Sequence, residues 1–176
     1  MDTVDRLYDL DPSNDLPENF FIIMYGLRRS GKTTMLRYML FEMQDRLDEY
    51  EIYLFSGTAE VSPEDYEYIP KKAKFPNVKE MEMDLQRLIS KQKKRKKEKE
   101  EISMLLIFDD VVSESVVRHS DSLNFLAVGG RHINICVVIL SQVVTGSGSV
   151  PPIIRTQADG IFVVANPRSE LERKLL

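Results

Sequence analysis

Long apolar runs, cysteines and histidines are what this 176-residue chain has least of, and each shortage excludes something. No stretch approaches the roughly 20 consecutive apolar residues that cross a bilayer. The acidic opening, MDTVDRLYDLDPSND, has no apolar core and so does not read as a secretory signal. A single cysteine, Cys136, rules out a disulfide framework, and a reducing compartment inside the cell is the expectation. Two histidines far apart in sequence, His119 and His132, make no metal-ligand cluster by themselves. No internal repeat is visible.

What remains is a soluble globular composition, 43% hydrophobic and 30% charged, at a length suited to one core. The net charge of −4 hides an uneven distribution. Residues 91–99, KQKKRKKEK, carry seven positive charges and one negative, so that +6 sits on one short tongue and −10 on the rest. The basic tongue has two readings: a solvated helical extension, or a contact to a DNA backbone that would make binding steeply salt-dependent. It holds no aromatic residue, which argues against stacking on single-stranded bases.

Around residues 22–34, IIMYGLRRSGKTT, the rest of the chain is organised. The apolar run Phe20–Tyr25 reads as a buried strand, and it breaks into a glycine loop that opens a helix. Gly26, Gly31, Lys32 and Thr33 fill the spacing G-x-x-x-x-G-K-T of a phosphate-binding P-loop. The glycines let successive backbone N–H groups turn inward, and the helix adds its unsatisfied amino-terminal donors and positive dipole end. Arg29 and Ser30 complete the loop. Lys32 is expected on the β and γ phosphates of ATP, Thr33 on Mg²⁺, and Thr34 either faces the α phosphate or opens the helix.

Residues 1–19 hold six acids, one arginine, Pro12 and Pro17, and read as an arm of little regular structure, ahead of one domain at 20–176. After the P-loop, Met35, Leu36, Met39, Leu40, Met43 and Leu47 recur at helical spacing. Glu51 to Phe55 is a second strand. The polar stretch from Thr58 to Val78, with three prolines, reads as a surface excursion. A helix beginning near Lys79 carries an apolar stripe to Ile89. There the lysines start, so the helix is expected to leave the body as a basic extension over about 90–101.

Met104 to Phe108 forms a third strand that ends in Asp109 and Asp110, the Walker B arrangement. Asp109 would hold Mg²⁺ through water opposite Thr33, and Asp110 would act as base or orienter for an attacking water. A short helix near Ser122–Val128 stops at two glycines. Arg131 and His132 then lead into a fourth strand, Ile133–Leu140, so continuously aliphatic that it must be buried on both faces. Cys136 lies inside it as core. Gln142 emerges from its end, where a glutamine can sense the γ phosphate or orient water. A flexible loop at 145–152, a fifth strand from Ile161 to Val164 and a closing helix at 168–176 complete the reading.

Strands alternating with helices predict a three-layer α/β P-loop domain. Its sheet is mainly parallel and five-stranded, with helices on both faces. Because the Walker B strand follows an intervening strand and helix, the expected layout is the additional-strand order 5-1-4-3-2. The segments GLRRSGKTT, LLIFDD, GGRHINICVVILSQ and VPPIIRTQADGIF then resemble the FtsK/HerA superfamily of DNA-pumping ATPases. Within it they are most similar to the genome-packaging ATPases of poxvirus-like large DNA viruses, over about residues 20–165.

The resemblance implies an oligomeric ring, a pentamer or hexamer, that hydrolyses ATP at subunit interfaces and drives double-stranded DNA through its centre. It implies an arginine supplied in trans, for which Arg131 and then Arg155 are the candidates, with His132 buttressing the neighbouring loop. It also implies capsid or nuclease partners and a place in the host cytoplasm or viral factory, with association to the virion. Relatives in FtsK and HerA usually carry glutamate as the second Walker B acid; here it is Asp110, as in the viral branch. The rival readings are a P-loop kinase of a nucleotide or small molecule, and a nucleotide-dependent scaffold of the virus particle. A kinase lid needs several arginines, and TGSGSVPPIIRT has one.

Overall fold

A computed structural model describes residues 11–61, 63–111, 119–143 and 149–164. Six strands make one sheet: β1 (Phe21–Tyr25), β2 (Tyr50–Ser56), β3 (Lys74–Phe75), β4 (Ser103–Asp109), β5 (Ile135–Ser141) and β6 (Gly160–Val163). Their order is β3-β2-β4-β5-β1-β6 and every pair is parallel. The five expected strands stand in the expected order, and the difference is the added edge strand β3. Two residues, Lys74 and Phe75, inside the run KKAKFPN are too short a stretch to show an alternation, which is why the sequence does not announce it. β5 begins at Ile135 rather than Ile133, because Gly130–Ile133 form a 3₁₀ turn closed by Asn134 at φ 56°.

Successive side chains of a strand point to opposite faces, so the aliphatic runs build two cores. On one face Ile23, Leu106, Phe108, Val137 and Ile139 pack under α4 (Met81–Glu98) and α5 (Asp121–Gly129). On the other, Ile22, Met24, Ile107, Val138 and Leu140 pack under α2 (Lys32–Glu42) and α3 (Gln44–Leu47). Cys136 belongs to this second core, fully buried, and burial pushes its thiol up to about 11, so it is an inert packing residue.

Three segments differ from the sequence reading. Residues 1–10 lie outside the described residues, but 11–19 are anchored rather than loose. α1 (Pro12–Asp15) is capped by the Asp11 carboxylate accepting from Ser13 N, and Ser13 Oγ donates to the Glu42 carbonyl at 2.7 Å. Arg46 donates to the carbonyls of Ser13, Leu16 and Pro17. The 58–78 stretch is not a surface excursion either: Ala59, Tyr66, Ile69 and Ala73 are buried, because their spacing tucks an apolar side under the sheet edge. The loop at 145–152 is described only at its end, where Ser149 and Val150 are buried and Pro152–Arg155 form a helical turn, α6. The expected helix at 168–176 lies outside the described residues.

A further departure concerns the basic tongue, which stays on the body. Gln92 continues the stripe of Met81, Leu85, Leu88 and Ile89, is 1% exposed, and donates its amide to the Ile102 and Asn134 carbonyls. Lys96 reaches Asn134 Oδ1 at 3.1 Å, and Lys93 sits 4.2 Å above the Phe125 ring. Glu51 on β2 takes two bonds from Arg95, at 2.8 and 3.0 Å, and one from Lys91 at 2.7 Å.

Those cations, Arg95 first, hold the Glu51 carboxyl at about 2 against an ordinary 4.5. A lowered folded-state value gives stability that is complete above pH 4.5 and is lost as the pH falls from there toward 2. Glu51 is one-third exposed, so solvent screening limits the contribution to about 1–2 kcal/mol. Urea melts of Glu51→Gln should show that loss at pH 7 and a flatter stability profile between pH 4.5 and 2 than the native chain has.

Candidate active site

The carboxyl ends of β1, β4 and β5 form one rim, and the registry fixes what stands there. Tyr25 is opposite Ser141, Asp109 opposite Leu140, and Ser56 opposite Asp109. Beyond the last pairs, Gly26 N donates to the Ser141 carbonyl and Asp110 N to the Leu140 carbonyl, each at 3.1 Å. The glycine loop and the acidic pair therefore leave the sheet on either side of β5, at the same edge.

The loop has little steric freedom. A Cβ at Gly26 would stand 2.9 Å from the Val164 carbonyl and collide with Ser30 Oγ, so no larger residue fits. Arg29 at φ 62° and Gly31 at φ 101° are both left-handed and turn the backbone into the helix. Met35 N closes the first helical bond onto Gly31 O, which makes Gly31 the cap of α2 and leaves the donors before it directed outward. Lys32 is 6% exposed and its ammonium bridges the carbonyls of Gly26 and Leu27 at 2.8 and 3.2 Å. Among the described residues, buried Ser30 Oγ finds no hydrogen bond of ordinary geometry, which leaves it free to meet a ligand oxygen.

Opposite the loop, Asp109 is 9% exposed and accepts from Ser56 Oγ at 3.4 Å. Burial raises its carboxyl, the neighbouring charge of Asp110 raises it further, and Tyr66, Lys32 and Ser56 pull it back. Asp110 takes φ 54°, a left-handed conformation that aspartate tolerates better than most residues, and its Oδ2 accepts from Gln142 Nε2 at 2.6 Å.

A family model described as Poxvirus A32 protein matches residues 10–156, which run from before α1 through α6. The chain belongs to the poxvirus A32 protein family. A comparison with individually curated proteins finds no match. Among solved structures, the chain is similar to the genome packaging NTPase B204 of Sulfolobus turreted icosahedral virus 2. The sulfate complex aligns at 14% identity over 86% of this chain and 77% of that one, TM-score 0.59. The ATPγS complex gives 16%, 86%, 78% and 0.58. The pCW3 conjugation coupling protein TcpA, with ATPγS, aligns at 17% over 80% of this chain and 48% of its own, TM-score 0.60. At these identities the likeness is one of fold: a parallel P-loop sheet.

In this poxvirus-family chain the structure brings Gly26, Arg29, Ser30, Gly31, Lys32 and Thr33 to the rim with Asp109, Asp110 and Gln142, while Thr34 is exposed on the first turn of α2. Arg131 and His132 are not there. Both are exposed in the turn before β5, and a seven-residue strand carries them roughly 20 Å from the P-loop rim of their own chain. Arg155, on α6, lies by the buried Tyr25 phenol, which burial raises and the Arg155 charge lowers.

Two site residues had no signal that sequence reasoning could weigh. Ser56 closes a strand, and only the registry with Asp109 gives it a role. Tyr66 comes from the 58–78 stretch, and burial and Asp109 raise its phenol, which also lies by Thr33, so it stays a neutral O–H. Among the described residues no group of three or more acidic, histidine or cysteine side chains could hold a metal. A hydroxyl and a carboxylate, completed by ligand oxygens, suit magnesium, and Thr33 and Asp109 offer the first two. No helix among the described residues is long and apolar enough to cross a membrane.

Proposed function

We propose that this chain is the ATP-hydrolysing subunit of a motor that packages viral double-stranded DNA into capsids. The observation that carries the reading is the convergence of the P-loop, Asp109 and the Asp110–Gln142 pair on one sheet rim. Membership of the poxvirus family and the fold shared with an NTPase described as genome packaging support it.

In this reading the loop N–H groups and Lys32 bind the β and γ phosphates of ATP, with Gly26 giving the backbone its close approach. Thr33 and Asp109 hold Mg²⁺, which when bound neutralises charge that develops on the phosphates. Asp110, its carboxylate fixed by Gln142, orients a water and takes its proton as the oxygen bonds the γ phosphorus and the bond to the β-phosphate oxygen breaks. ADP and inorganic phosphate leave. Arg131 or Arg155 of a neighbouring copy supplies positive charge at the γ phosphate, so the active form is a ring of five or six copies around the DNA. The catalytic domain is 20–176, with residues 11–19 of the acidic arm 1–19 packed against it. The motor works in the host cytoplasm or viral factory and docks on capsid or nuclease proteins.

Native mass and ATPase rate, measured on one preparation with and without duplex DNA, test the reading. The expected result is a five- or six-fold assembly whose hydrolysis rises with DNA. A monomer that passes phosphate to a nucleoside would replace the motor with a kinase.

A further inference from the structure

The sequence puts the 58–78 stretch on the surface, and the structure turns one of its side chains into the site. Tyr66 ends the 3₁₀ turn Pro63–Tyr66, is 2% exposed, and leans on the Tyr68 ring with centroids 6.2 Å apart. Its buried hydroxyl lies by the Asp109 carboxylate and the Thr33 hydroxyl, yet among the described residues it completes no hydrogen bond of ordinary geometry. The Asp109 carboxylate is short of donors as well: among the described residues its hydrogen bond is the long one from Ser56, at 3.4 Å. A buried donor without an acceptor beside a buried carboxylate with spare lone pairs is costly, and such a pair persists where occupation of the site completes it.

We propose that Tyr66 is a positioning residue for Mg²⁺, its hydroxyl closing onto the Asp109 carboxylate as the site fills and holding it toward Thr33. The inference rests on reading the rim as a magnesium–nucleotide site. Tyr66 acts through Asp109 in this proposal. Its burial with Ile69 and Ala73 ties residues 66–73 to the carboxylate it steadies.

Tyr66→Phe keeps the ring and removes only the hydroxyl. Calorimetric titration of the full chain with ATPγS, with and without MgCl₂, reads how far magnesium tightens nucleotide binding. In Tyr66→Phe that tightening should shrink about five- to tenfold, with affinity in the absence of magnesium unchanged. Tyr68→Phe, a ring neighbour that is 43% exposed, should leave the tightening as it is. Melts without ligand should place Tyr66→Phe at or above the native chain, since an unbonded hydroxyl is lost. Equal tightening in native and Tyr66→Phe chains would overturn the positioning role and leave the site reading standing. So would a variant that melts lower and binds more weakly to the same extent with and without magnesium, the mark of a packing defect. A native chain that binds no tighter with magnesium would overturn both.

Discussion

Lys32→Ala should lower ATP turnover by about 10²–10³-fold, the equivalent of roughly 3–4 kcal/mol of transition-state stabilisation from one removed cationic donor. Lys32 is 6% exposed and its ammonium already bridges the Gly26 and Leu27 carbonyls across the loop. In the proposed reading it is therefore held beside the triphosphate tail before any ligand arrives, and little ordering entropy remains to oppose its action. Two further effects work in the same direction. The two carbonyls lose their donor, and Asp109 loses the positive charge that pulls its carboxyl down. Lys32→Arg should not rescue activity, because a planar guanidinium fork cannot take the place of a compact ammonium between two carbonyls of one tight loop. Steady-state hydrolysis, with nucleotide affinity measured separately, checks the expectation. Turnover at the native rate in Lys32→Ala would remove the P-loop from the chemistry.

What the sequence makes legible here follows from how local each signal is. β1, β4 and β5 are apolar runs that need burial on both faces, so a parallel sheet and its helices follow from composition alone. The glycine loop and the aspartates after Phe108 are equally local, since each sits within one turn of the strand that delivers it. Gln142 needs one more step, the inference that β5 lies between the two strands, and the 2.6 Å bond to Asp110 depends on that neighbour relation. Gln92 and Tyr66 lie beyond such reasoning. Gln92 looks like the second residue of a solvated basic run, and only the Ile102 and Asn134 carbonyls make it a buried anchor. Tyr66 sits in a proline-broken polar stretch whose inward turn depends on Ile69 and Ala73 finding the edge of a sheet built from other parts of the chain. Arg131 shows the converse case. Its closeness in sequence to a strand that ends at the site carries it to the other rim, because a strand is as long as it is buried.

Asp109→Asn should separate activity from stability, with the two moving in opposite directions. Burial and the charge of Asp110 raise the Asp109 carboxyl in the folded chain above its ordinary 3.8. A raised folded-state value means that the acid's unfavourable effect is absent below that ordinary value. It grows as the pH rises through the window up to the folded value, and is complete at neutral pH, where the carboxylate is ionised. Asparagine keeps the shape and the acceptor for Ser56 while removing the charge. The nucleotide- and magnesium-free variant should therefore melt about 2–4 °C higher at pH 7, the shift expected for ~1 kcal/mol in a chain of this size. The gain should fade as the pH approaches 4. Turnover should fall by at least about 10²-fold, because the neutral amide is a poor magnesium ligand beside Thr33. A carboxylate kept for packing alone predicts the reverse, with stability unchanged or lowered and turnover largely retained. In the proposed reading a cation stands beside this buried, repelled charge in the working state, and the opposed signs in one variant test that reading directly.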